Sequence, residues 1–92
     1  MDYSKLSDYE INCEVGRSIC ISDYLLARNE QKNYCNNPAD AWPIIVSSGI
    51  SLRKLHNGKW RGINEWGVSH QQDDDKPFRA AMIVYLMMQG GN

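Results

Sequence analysis

The stretch that most constrains the fold is Pro77-Phe78-Arg79-Ala80-Ala81-Met82-Ile83-Val84-Tyr85-Leu86-Met87-Met88-Gln89. Proline starts a helix well, because its φ is already helical and its missing N–H has no partner in the first turn. Phe78, Ala81, Met82, Tyr85, Leu86 and Gln89 recur at helical spacing. Ile83, Val84, Met87 and Met88 extend the apolar surface nearly all round, and Arg79 is the only charge. Such a helix is buried on most sides, by its own chain or by a second copy. The 92 residues make one domain, 1–92, with this helix as the central element of its core. The uninterrupted apolar run, Ala80 to Met88, is far too short for the ~20 residues that cross a bilayer. Gly90-Gly91 ends the helix.

A second helix start is written at Ser7-Asp8-Tyr9-Glu10. Here a serine hydroxyl can accept from the amide three residues on, while the glutamate reaches back to the serine amide. Ile11 and Val15 continue one helical face, and Asp8, Glu10 and Arg17 complement the helix dipole. The pattern predicts a helix from Asp8 to Arg17, with Gly16 marking its end. Ile19 to Leu26 is rich in β-branched and aromatic residues and reads as a strand. Arg28 to Asn33 reads as a solvated loop.

Asn37 is a good N-cap and Pro38 a good first helical residue. Pro43 then falls inside the helix, where it removes a hydrogen bond. Either the helix runs on to Ser48, bent or restarted near Pro43, or Asp40 caps a shorter one; Gly49 stops both. Ile50 to Leu55 and Lys59 to Ile63 flank Asn57-Gly58, a strong hairpin signal that predicts a type I′ turn. That turn pairs His56 with Lys59, Leu55 with Trp60, Lys54 with Arg61 and Leu52 with Ile63. Trp66 to Lys76 lacks apolar periodicity and reads as a loop. Its end, Asp73-Asp74-Asp75, places carboxylates at the positive end of the last helix. The predicted class is α+β: three helices packed on a small antiparallel sheet that includes the 50–63 hairpin.

Apolar residues are 42% and charged residues 23%, with a net charge of −1. This is a globular balance, without the basic excess of a dedicated duplex-DNA binder. Cys13, Cys20 and Cys35 are an odd count with no C-x-x-C pair, and neither His56 nor His70 stands at zinc-ligand spacing from them. Three reduced thiols and no structural metal are expected. His70 with Asp73, Asp74 and Asp75 forms a weak metal motif, better read as a solvated acidic segment. No glycine-rich phosphate loop, G-x-S-x-G, H-E-x-x-H or paired-carboxylate signature is present, so no catalytic residue and no cofactor are assigned. The N-terminus has no basic region followed by an apolar run, which predicts a cytoplasmic protein without a membrane segment.

Three segments together resemble a known family. They are Met1-Asp2-Tyr3-Ser4-Lys5-Leu6-Ser7-Asp8-Tyr9-Glu10-Ile11-Asn12, Asn37-Pro38-Ala39-Asp40-Ala41-Trp42-Pro43-Ile44-Ile45 and Arg79-Ala80-Ala81-Met82-Ile83-Val84-Tyr85-Leu86-Met87-Met88-Gln89. They are similar to the NinX-type small proteins of lambdoid phages and prophages; the middle segment is the specific one. The resemblance implies a small intracellular protein made during infection or from a prophage, and it carries no catalytic residues.

Two surfaces are candidate sites. The first is the signature Asn37, Pro38, Asp40, Trp42 and Pro43: either Asn37 and Asp40 cap a helix that Trp42 anchors to the core, or the set forms a partner-binding corner with Trp42 partly exposed. In the second, Arg53, Lys54, Lys59, Trp60 and Arg61 interleave cations with an aromatic, a pattern that suits anions or single-stranded nucleic acid. The ordinary reading of the second is a solvated hairpin tip with Trp60 packed inward. The expected function is a non-catalytic accessory protein that binds a host or phage protein. The alternative is a small nucleic-acid-binding factor using the 53–61 hairpin. A symmetric homodimer is a further expectation, motivated by the apolar last helix and by Trp42, Trp60, Trp66 and four methionines.

Overall fold

A computed structural model describes residues 2–64 and 69–90. After a short 3-10 turn at Tyr3–Lys5, α1 spans Asp8–Ile19, α2 Ile21–Arg28 and α3 Pro38–Ser48. Strands β1 (Ile50–Lys54), β2 (Trp60–Asn64) and β3 (His70–Asp74) follow, and α4 (Pro77–Met88) ends the chain. The sheet order is β1-β2-β3 with both pairings antiparallel, so the fold is α+β. It holds four α-helices among the described residues, against the three expected.

The start signals of α1, α3 and α4 operate as read. Ser7 Oγ accepts from the Glu10 amide at 3.1 Å, and Glu10 Oε1 accepts from the Ser7 amide at 2.9 Å. Asn37 Oδ1 accepts from the Ala39 amide, and Gly49 ends α3 at φ 68. Asn37, not Asp40, is therefore the cap, and α3 runs unbroken through Pro43.

The segment read as a strand, Ile19 to Leu26, is instead helical. Cys20, in extended conformation between α1 and α2, separates the two. Gly16 does not end α1 but lies buried within it. A methyl group there would sit 2.7 Å from the Asp23 carbonyl oxygen, so the bare glycine is what lets α2 rest on α1. β-branched composition suggested a strand, but this close backbone contact favours a helical hairpin.

The 50–63 hairpin is present, one residue out of the expected register. Lys54 faces Trp60, Arg53 faces Arg61, Leu52 faces Gly62 and Ser51 faces Ile63. The turn is the reason. A type I′ turn needs φ above zero at both central residues. Among the described non-glycine residues only Glu30 has positive φ, so Asn57 is not left-handed. The Gly58 amide donates to the Leu55 carbonyl and the Leu55 amide to the Lys59 carbonyl, which leaves a three-residue loop with Gly58 at φ 88. A one-residue change in loop length exchanges the faces. Trp60 therefore shares the helix-covered face with Lys54 and Gly62, while Arg53 and Arg61 share the open one.

Part of the expected 66–76 loop is β3, a strand without one apolar residue. Pairing with β2 and side chains spent on specific partners hold it in place. Trp66 lies outside the described residues. The core surrounds α4, whose Ala80, Ala81, Met82, Ile83 and Val84 are fully buried. Ile11 and Val15 of α1, Ile44 and Ile45 of α3, and Ile50 of β1 join it there. Gly62 permits the sheet to approach, since a Cβ there would lie 3.1 Å from the Ala80 carbonyl. The cover that α4 needs is thus supplied within one chain.

Arg79, the single charge of α4, ties the fold together. Its guanidinium donates to Asp8 at 2.8 Å and Asp74 at 2.9 Å, and to the Ser4 and Leu6 carbonyls at 2.9 and 2.8 Å. Lys76 bonds Asp8 and Asn36, and Asn36 donates to Asp8. Burial raises the Asp8 pKa, but the hydrogen bonds from Lys76, Asn36 and Arg79 outweigh it and hold the carboxyl below its ordinary value.

Candidate functional site

The first candidate set sits on α3, where its residues take different roles. Asn37 is occupied as the cap. Asp40 points back to the preceding loop, accepting from the Asn33 amide at 2.9 Å and pairing with Lys32 at 3.7 Å. That loop carries Tyr34, a fully buried ring under the Lys32 ammonium. Burial, reinforced by the Asp23 and Asp40 charges, pushes the Tyr34 phenol up to about 12. Asn37 and Asp40 thus fix the start of α3 and present little to a ligand.

Trp42 is the outward member. It is 57% exposed, so it is not the core anchor of the ordinary reading. Val46, one turn on, is 61% exposed. Ala39 and Pro43 are exposed as well, so Ala39, Trp42, Pro43 and Val46 make a stripe at i, i+3, i+4 and i+7 spacing. The opposite face, Ala41, Ile44 and Ile45, is buried. The stripe carries no charge, because the helix's one ionised side chain, Asp40, is engaged elsewhere. Pro43 adds a polar feature: without an N–H it cannot make the helical bond to the Ala39 carbonyl. Sequence reading singled out Trp42 and Pro43 and missed Val46 and Ala39 as their companions, although the spacing was available.

The second candidate set is divided by the hairpin register. Arg61 forms a two-pronged ion pair with Asp73 across β2 and β3, at 2.8 and 3.1 Å. The Asp73 hydrogen bond pushes the arginine pKa up, and the arginine pulls the Asp73 carboxyl down. Asp73 also relieves the like-charge pairing of Arg53 with Arg61. Lys54 donates to the Gly58 carbonyl at 3.0 Å and lies 5.2 Å from the centre of the Trp60 ring. Arg53 and Lys59 remain exposed and form no ion pair among the described residues, but Trp60 is on the far face from Arg53. The arrangement does not bring an exposed aromatic and free cations onto one surface.

Other chemistry-bearing groups are dispersed. Asp73 and Asp74 point to opposite faces of β3, each with its own arginine. Among the described residues no group of three or more His, Cys, Asp or Glu side chains could hold a metal ion. The three cysteines are free. Burial pushes the Cys35 thiol up to about 12, which leaves it protonated and unreactive at neutral pH. A groove of about 490 Å³ runs between α1 and α2, walled by Tyr9, Cys13, Tyr24 and Arg28. It was invisible while α2 was read as a strand. Arg17, which also lines it, stacks on Tyr24 at 4.8 Å and pairs with Glu14. No helix among the described residues is long and apolar enough to cross a membrane.

Comparison with curated proteins and with solved structures finds no match to this chain. The profile of the family described as Bacteriophage P22, NinX matches residues 2–89. That span takes in the Ser7 capping box, the α3 stripe, the hairpin and the Arg79 tie. The chain belongs to the phage NinX family.

Proposed function

We propose that this chain is a non-catalytic phage accessory protein that acts in the host cytoplasm by binding a host or phage protein. The single observation that carries this is the exposed Trp42, which with Val46 forms an apolar surface on a helix held firm at its start by Asn37 and Asp40. An exposed tryptophan on a rigid element is the residue type that most often dominates a protein interface. The near-neutral charge and the Arg61–Asp73 pair weigh against the nucleic-acid alternative.

The test is affinity purification from phage-infected host cells with three proteins in parallel: wild type, Trp42→Ser, and Arg53→Glu/Lys59→Glu. The expected result is one partner recovered with wild type and with the hairpin variant, and lost with Trp42→Ser. Recovery unaffected by Trp42→Ser would defeat the reading. So would affinity for single-stranded DNA that falls steeply with salt and is lost in the hairpin variant.

A further inference from the structure

We infer that α3 docks as a helix into an apolar, uncharged groove of a different protein, rather than against a second copy of this chain. The inference rests on the partner-binding reading above and adds the mode of binding. The first ground is spacing. Ala39, Trp42, Pro43 and Val46 lie at the i, i+3, i+4 and i+7 positions that an amphipathic helix offers to a groove. In this helix they are the face turned to water.

The second ground is area. Trp42 and Val46, with the two smaller residues, expose on the order of 300 Å² of apolar surface, taking ~150–250 Å² for a whole aromatic side chain. That lies in the range of functional patches, about 300–600 Å². It falls well short of the ~800 Å² per partner buried in a stable specific interface. A twofold pairing of two such helices would bury little beyond the stripes themselves. A concave partner also covers the flanks of the helix and so reaches a working area from one narrow element. The symmetric dimer had its motive in an under-covered α4, and α4 is enclosed by its own chain.

The third ground is charge. The stripe has no ionised group, so a charged groove would lose hydration without gaining a partner. The Ala39 carbonyl, denied its helical donor by Pro43, gives such a groove one directional contact. An N–H or O–H on the groove wall would satisfy it and set the helix's register.

The experiment uses the full chain in infected cells, with a benzophenone amino acid placed singly at positions 39, 42 or 46, and at Ser22 on α2 or Arg53 on β1 as controls. Adducts are mapped by mass spectrometry. The expected result is that 39, 42 and 46 all attach to apolar positions on one other protein and the controls do not. Pro43→Ala supplies the sharper readout. It restores the Ala39 bond, so the thermal midpoint should rise while adduct yield from position 42 falls about fivefold, as for one lost hydrogen bond. Adducts to a second copy of this chain would overturn the inference, as would a Pro43→Ala yield equal to wild type. Adducts from Arg53 alone would sink the groove mode but leave partner binding standing. No protein adduct from any position, together with salt-sensitive DNA binding, would sink both.

Discussion

Two helices of this protein look alike on paper and lead opposite lives. Both α3 and α4 open with proline at the first position, and both are predominantly apolar. α4 is enclosed, with its central residues at zero exposure. α3 buries Ala41, Ile44 and Ile45 and turns Trp42 and Val46 to water. The difference is one of position. α4 lies between the sheet and the helices α1 and α3, which bury its central residues and leave Phe78, Tyr85, Met87 and Met88 partly buried. α3 covers one flank of α4 and has nothing described on its own outer side. An apolar helix is thus core when it is central and a recognition surface when it is peripheral.

Mutations can break this contrast. The largest effect belongs to α4: Met82→Ala should cost about 2–5 kcal/mol by opening a cavity at a site that is fully buried. A denaturant titration with an unchanged midpoint would show that α4 is not the centre of the core. Next comes the charge that fastens α4. Arg79→Met should cost about 2–4 kcal/mol, because Asp8 and Asp74 lose their shared partner; Asp8 keeps 30% of its side chain exposed, which moderates the loss. Thermal melts of this variant beside Arg61→Met sharpen the point, since the open-face arginine should matter far less.

Acid should weaken the same tie. Asp8's carboxyl is held below its ordinary 3.8 in the folded protein, so the unfolded chain takes up the proton more readily. The stability this contributes is present above that value and is lost over the acid range beneath it, as pH falls through the lowered pKa of the folded state. Melting temperatures recorded across that range should fall less steeply for Asp8→Asn than for wild type; parallel curves would remove Asp8 from the account. The smallest effect is the other half of the contrast. Trp42→Ala should change stability by no more than ~0.5 kcal/mol, as expected of a surface substitution. A loss of several kcal/mol would mean that Trp42 is an anchor after all, and the α3 face would lose its claim as a binding surface.

How much was legible depended on the range of the interaction. The Ser7 box, the Asn37 cap, the Gly49 stop and the Pro77 start are contacts between residues two to four apart, and each stands where its residues predicted. The hairpin's existence was legible from Asn57-Gly58, but its register was not, because Asn57 does not take the positive φ that a type I′ turn needs. Ile19 to Leu26 was misread because its helical state depends on Gly16. Nothing local marked the start of α2, since the Cys20 side chain caps none of its backbone amides. β3 could not be found by periodicity, since its stability comes from β2 pairing and from Arg61 and Arg79.

The candidate site shows the same division. That Trp42 sits on a capped helix follows from the sequence; that it faces water follows only from where α3 lies relative to α4. Sequence by itself determined the helix ends, the α+β class, the apolar nature of α4 and membership of the phage NinX family. Tertiary structure decided that α2 is a helix, which sheet face each hairpin cation occupies, and which apolar helix is buried. The physical reason is that caps and turns are settled by groups a few bonds apart, whereas burial, register and the anchoring of Arg79 depend on residues up to 75 positions distant.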